Sequence, residues 1–232
     1  MNAILESLSA VGIFVGGLAA RLGIVLVVML ALLVPVLLAA GAVRAFQALR
    51  LRVQGYRPAG ALRYRSGLLY APTHTWLRPE GERLRVGLDD LAQRLLPWAV
   101  AVSLPRTGQA VRAGEPVAVI SSGGREVRVA APVSGRIVAV NPEVAREPTL
   151  VKSESYGRGW LFEVAPEGRA WAGLPGGEAA RAWLRSEGER LSRFYEQSLG
   201  YAAADGGELV GPPPTLLGDA EWKALTRAFL GT

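Results

Sequence analysis

The 232-residue chain has no cysteine, one histidine and two lysines, Lys152 and Lys223, among 26 basic residues. Without cysteine there is no disulfide framework, and a single histidine cannot supply a zinc ligand set. A reducing compartment suits such a chain without being required by it. Aromatic residues make up only 7% and are not interleaved with the arginines. That argues against nucleic-acid binding despite the formal charge of +6. A cluster of arginines facing anionic lipid explains more of that charge. Arginine, alanine and glycine are enriched together, so the scarcity of lysine reads as genomic in origin.

Charge is missing altogether from one long stretch. Residues 22–43 carry none, and the first 43 residues carry only Glu6 and Arg21. A helix of that length, rising about 1.5 Å per residue, crosses the roughly 30 Å hydrocarbon core of a bilayer. Pro35 lies inside the run, where membrane helices tolerate a kink. The pattern predicts a transmembrane helix over 22–43. A cleaved signal peptide is the rival, with Ala40-Gly41-Ala42 as a loose cleavage site, but the run is long for one and follows a single arginine. Arg44, Arg50, Arg52, Arg57, Arg63 and Arg65 crowd the C-terminal flank. By the positive-inside rule the domain that follows faces the cytoplasm. The expectation is a single-pass protein of the cytoplasmic (inner) membrane, with a basic juxtamembrane connector over 44–69. Residues 1–21 are an apolar segment with Ile4, Leu5, Leu8, Val11, Phe14 and Val15 at helical spacing. They lie on the membrane surface, extend the span, pack on a partner, or make a two-helix hairpin turning near Arg21.

Length leaves room for one domain of ordinary size plus extensions. From residue 70 to 166 short β-rich runs recur between Gly and Pro: Leu84–Val86, Val100–Leu104, Ala110–Val111, Pro116–Ser121, Glu126–Ala130 and Gly135–Val140. Strands this short at such spacing indicate a small sandwich or barrel. One short helix interrupts them over Asp89–Leu96, started by Asp89 or Asp90 and stopped by Pro97. Gly114 and Gly135 are expected to supply positive φ at tight turns.

The turns carry a recognisable pattern. Gly108-Gln109-Ala110-Val111-Arg112-Ala113-Gly114-Glu115 and Ala131-Pro132-Val133-Ser134-Gly135-Arg136-Ile137 resemble the two quasi-repeated steps of biotinyl- and lipoyl-carrier folds. Tyr70-Ala71-Pro72-Thr73-His74-Thr75-Trp76, Val86-Gly87-Leu88-Asp89-Asp90-Leu91-Ala92 and Leu150-Val151-Lys152-Ser153-Glu154-Ser155-Tyr156-Gly157-Arg158-Gly159-Trp160-Leu161 narrow the likeness. With them the chain resembles the H protein of the glycine cleavage system over nearly a hundred residues. The resemblance implies a mainly β, barrel-sandwich hybrid with flanking helices, to which the charge-free run adds the N-terminal transmembrane helix. It also implies a carrier hairpin bearing one lipoylated lysine. Here that hairpin reads Ser121-Ser122-Gly123-Gly124-Arg125-Glu126. Laid gaplessly between Gly114 and Gly135, the family's lysine position falls on Gly124, and neither lysine is nearby in sequence. Lipoylation needs a primary amine, which Arg125 cannot replace. Thr75 likewise stands where the family has Glu.

No other chemistry is evident. Ser121 and Ser122 could be a nucleophile or part of a phosphate loop, but no Walker spacing follows, and a glycine-turned hairpin explains them. His74 has no sequence-evident partner as a base and reads as structural near Trp76. Asp89, Asp90, Glu126, Glu143, Glu147, Glu154 and Glu163 form no metal or acid–base cluster. The expectation is therefore no catalytic, cofactor-binding or metal residues, no cofactor and no small-molecule substrate.

After Pro166 the chain changes character. The segment 167–200 contains an amphipathic helix over Gly176–Leu199 with Ala180, Trp183, Leu184, Leu191, Phe194, Tyr195 and Leu199 as its apolar stripe. The segment 201–232 is a Gly/Pro linker leading to a short helix from Asp219, with Trp222, Leu225, Phe229 and Leu230 on one face. That helix docks either on its own domain or in a partner's groove. These features point to a non-enzymatic, non-lipoylated, membrane-anchored subunit with a structural or docking role. Its partners would be the lipid bilayer through 22–43 and the protein subunits of a larger membrane complex, by analogy a respiratory or electron-transfer one. The alternative is an accessory protein docking to lipoyl-dependent or glycine cleavage enzymes.

Overall fold

The computed structural model describes residues 26–46, 55–96, 101–200 and 214–231, with single positions at 21, 49 and 53. The expected N-terminal segment over 1–20, the first residues of the expected span and the linker over 201–213 lie outside these. The chain divides into two units, Met1–Gln54 and Gly55–Thr232.

In the first unit, helix α1 spans Leu26–Phe46 and is long and apolar enough to cross a membrane. All of its residues are exposed, with Leu and Val on every side of the helix.

The second unit is mostly sheet with flanking helices, as expected. Strands β1 (Tyr56–Ala59) and β2 (Leu62–Arg65) pair as a hairpin. Strands β3 (Leu69–Ala71), β4 (Thr75–Glu80), β5 (Arg83–Leu88), β7 (Ala110–Val111), β10 (Gly135–Val140) and β11 (Phe162–Pro166) make a sheet. Its order is β3-β4-β5-β11-β10-β7. A second sheet, in the order β6-β8-β9, joins Ala101–Ser103, Pro116–Ser122 and Arg125–Ala130. Helix α2 (Asp90–Leu95) follows β5, its first turn capped by Asp89, whose carboxylate accepts from the Ala92 amide. Short helices α3 (Pro142–Arg146) and α4 (Leu150–Ser153) bridge β10 to β11. The long helix α5 (Gly177–Leu199) and the terminal α6 (Asp219–Leu230) complete the unit.

The aromatic residues of the opening and closing motifs meet in the core. Trp76 and Tyr156 stack at 6.3 Å, and Tyr70 and Tyr56 meet the Tyr156 ring edge-on at 6.3 and 5.6 Å. Trp76 is fully buried and its indole N–H donates to the Ser155 carbonyl at 2.9 Å. Burying a ring of this kind is worth roughly 4–6 kcal/mol before ordering costs.

Two expectations need correction. The basic connector over 44–69 is folded from residue 56 onward. Leu62 and Tyr64 are buried on one face of β2, whereas Arg63 is exposed on the other and Arg65 only half-buried. The Tyr156 hydroxyl donates to the Arg63 carbonyl at 3.0 Å and accepts from the Asp90 amide at 2.9 Å. The Asp90 carboxylate in turn accepts from the Arg63 amide at 2.9 Å. The hairpin is thus stitched to the core through its backbone. Gly135, second, is not at positive φ, although Gly114 is, at 82°. A Cβ at Gly135 would fall 2.2 Å from the Ala165 carbonyl oxygen, so the position demands glycine for close strand approach instead.

Candidate functional site

The hairpin β8–β9 is the first place to look. Ser121 pairs with Glu126 and Ser122 with Arg125, leaving Gly123 and Gly124 as a two-residue turn. Their φ values are 57° and 82°, the double left-handed geometry that matches the twist of flanking strands. Space around Gly124 is open, with nothing within 4 Å of a built Cβ. Conformation, not crowding, is what selects glycine there. Neither serine hydroxyl has a hydrogen-bond partner among the described residues, and His74 is committed elsewhere. Nothing here activates a nucleophile.

Arg125 holds the hairpin to the C-terminal segment. Its guanidinium donates to the Pro214 carbonyl at 2.6 Å and to the Leu217 carbonyl, and lies 3.4 Å from the Asp219 carboxylate. It also sits 5.2 Å from the Trp222 ring centre. Trp222, Leu225 and Phe229 of α6 are buried against the unit. The terminal helix therefore docks on its own domain, beside the hairpin. Between them lies a groove of about 580 Å³ bordered by Gly124, Arg128, Lys223 and Arg227. Lys223, remote from the hairpin in sequence, is brought next to it. Lys152 is not: its ammonium donates to the Leu96 carbonyl at 2.5 Å, closing the end of α2.

His74 has partners that its sequence context did not reveal. Its Nδ1 is 2.9 Å from the Asp89 carboxylate and its Nε2 lies 3.6 Å from Glu187 of α5, an ion-pair distance rather than a hydrogen bond. Its ring stacks on Trp183 at 5.3 Å. Burial opposes the charged imidazole, but the Asp89 charge and hydrogen bond, with Glu187 beyond, push its pKa up to about 9. Glu187, held low first by His74, also pairs with Arg190 at 2.5 Å. Arg190 then donates to the Ala228 carbonyl of α6 at 3.1 Å. This triad joins α5 to the β3–β4 turn and the cap of α2, and among the described residues no serine, threonine or lysine side chain is hydrogen-bonded to its imidazole. Among the described residues no group of three or more His, Asp or Glu is placed to hold a metal.

Residues 68–185 match the family described as Glycine cleavage H-protein. The chain is 46% identical over 100 residues to a glycine cleavage system H protein of Pseudoalteromonas atlantica, covering 43% of this chain and 78% of that one. It is 43% identical over 97 residues to the Thermus thermophilus H protein, covering 42% and 76%. The Deinococcus deserti protein is 48% identical over 103 residues, covering 44% and 83%. Among solved structures, a glycine cleavage system H protein from Mycobacterium marinum superposes with a TM-score of 0.46 and 30% identity, covering 53% of this chain and 99% of that one.

Proposed function

The chain belongs to the glycine cleavage H-protein family, and we propose that this member carries no lipoate, performs no catalysis and serves as a membrane-anchored structural or docking subunit of a larger membrane complex. One observation carries the proposal. The hairpin that bears the carrier lysine in the family is turned here by Gly123 and Gly124, both left-handed. A mobile arm attached at Gly124 would need a lysine in a conformation that side chains disfavour by roughly 1–2 kcal/mol. The next residue, Arg125, binds the hairpin to the 214–219 segment, so this loop serves as an anchor for the chain's own terminus. No cofactor, metal or small-molecule substrate enters this reading. Helix α1 would hold the unit at the cytoplasmic face of the inner membrane, with the arginines after it on the cytoplasmic side.

Mild detergent extraction of the full chain, followed by affinity purification, tests the role. A stoichiometric set of membrane partners is expected at low ionic strength; a monodisperse monomer with none would overturn it. A second reading draws support from the family match over 68–185: an accessory protein that docks to lipoyl-dependent or glycine cleavage enzymes without being modified. Saturable binding to those enzymes, and to no membrane subunit, would favour it.

A further inference from the structure

The groove beside the hairpin offers more than a resting place for α6. Strand β9 is the edge of its three-stranded sheet, bonded to β8 on one side only. The groove is lined by successive residues of that strand, Arg125 and Glu126, and by Arg128. Glu126 and Arg128, two residues apart, share one face of the strand and Arg125 lies on the other. The other wall of the groove is one face of α6, with Asp219, Lys223 and Arg227 at helical spacing. Four cations thus meet two carboxylates. Arg125 is spent on Pro214, Leu217 and Asp219. Arg128, Lys223 and Arg227 are exposed, and none of them takes part in an ion pair among the described residues. Lys223 and Arg227 are moreover one helical turn apart, a like-charge spacing that disfavours the helix unless an anion lies between them.

Strand β9 pairs on one side only, and with Arg125 held by Asp219 the remaining cations of the groove, Arg128, Lys223 and Arg227, outnumber its other carboxylate, Glu126. We propose that the β9–α6 groove binds an extended acidic segment of a partner protein, which adds its backbone to the β9 edge and sets its carboxylates against Arg128, Lys223 and Arg227. The edge supplies main-chain hydrogen bonds that a lipid headgroup or free phosphate has no means to use. The charges supply selection and steering. This inference rests on the docking role and names the surface through which docking occurs.

The test uses the full chain in detergent micelles and a fluorescent peptide alternating Glu and Val, with a Lys-for-Glu peptide as control. Binding of the acidic peptide alone is expected, weakened at least tenfold in the Arg128→Glu, Arg227→Glu double variant and by raised salt. Both residues are exposed and, among the described residues, outside any ion pair, so a second, milder variant, Arg227→Gln, suffices if the double variant folds poorly; it should weaken binding severalfold. Equal binding of wild type and variants, equal binding of both peptides, or displacement of the peptide by inorganic phosphate or phosphatidylglycerol vesicles as effective as by unlabelled peptide overturns the proposal. Failures of the two ideas separate. A chain that copurifies with a partner yet binds no acidic peptide overturns the groove alone. Groove-dependent peptide binding by a chain that copurifies with nothing supports the groove and overturns the docking role.

Discussion

At His74 a left-handed backbone, with φ at 55°, and an imidazole that is 1% exposed meet two carboxylates. The positive φ is uncommon outside glycine, though less so for histidine than for most residues. What holds it is the set of contacts: Asp89, itself the cap of α2, Glu187 on α5 and the Trp183 ring. The imidazolium has a pKa of about 9 in the fold against 6.5 when free. A group raised in this way contributes stability that is complete below the unfolded value and declines as pH rises between the two. It is gone above the folded value. The contribution at stake is roughly 3 kcal/mol. Urea unfolding of the detergent-solubilised chain should therefore show stability falling from pH 6.5 to pH 9, and the His74→Gln variant should lose most of that slope. Parallel pH profiles for the two proteins would contradict the assignment. Gly124 is the other decisive residue. The sequence places it at the family's lysine position by a gapless reading between Gly114 and Gly135, and the proposal of a lipoate-free chain rests on that reading. Its left-handed backbone was not legible there, since a Gly-Gly pair fits several turn types. The pairing of His74 with Glu187 was equally hidden, because 113 positions separate them.

Among the elements, α6 depends most on one side chain. Arg125 closes the 214–217 turn through two carbonyls and covers Trp222. Charge-assisted hydrogen bonds are worth about 1.5–3 kcal/mol each and the ring contact about 0.5–1. Arg125 is 19% exposed, so solvent takes part of this back. Arg125→Ala should raise amide hydrogen exchange over 219–230 about tenfold or more and leave exchange in the β3–β11 sheet unchanged. Unaltered exchange in α6 would show that Trp222, Leu225 and Phe229 hold the helix alone. Both C-terminal helices were legible from their apolar spacing, and their boundaries agree to within a residue. The β1–β2 hairpin was not read, although its signal was present. Leu62-Arg63-Tyr64-Arg65 alternates with the period of a strand, but its arginines, following those at 44–57, invited a reading as membrane flank. In the fold the Arg63 side chain faces out while its backbone amide and carbonyl bind Asp90 and Tyr156. Cis docking of α6 was undecidable from sequence because its contacts with Arg125 span 89 to 94 positions.

For the molecule as a whole, two features set the account. An apolar helix precedes the folded unit, and within the H-protein family fold the β8–β9 hairpin, which we propose is the site of the lost carrier lysine, is turned by two glycines. A soluble carrier has to present a free hairpin to each enzyme in turn. Here the hairpin is fastened to the chain's own terminus and the charged groove beside it remains open. Such a part is suited to a fixed place in an assembly. The central claim is the loss of lipoate, and it is tested most directly by intact-mass measurement of the full chain purified from its native membranes under lipoate-replete growth. The expected result, whichever cell fraction yields the chain, is the mass of the unmodified polypeptide. A lipoyl adduct, whether on Lys223 beside the hairpin or on Lys152 against α2, would contradict it.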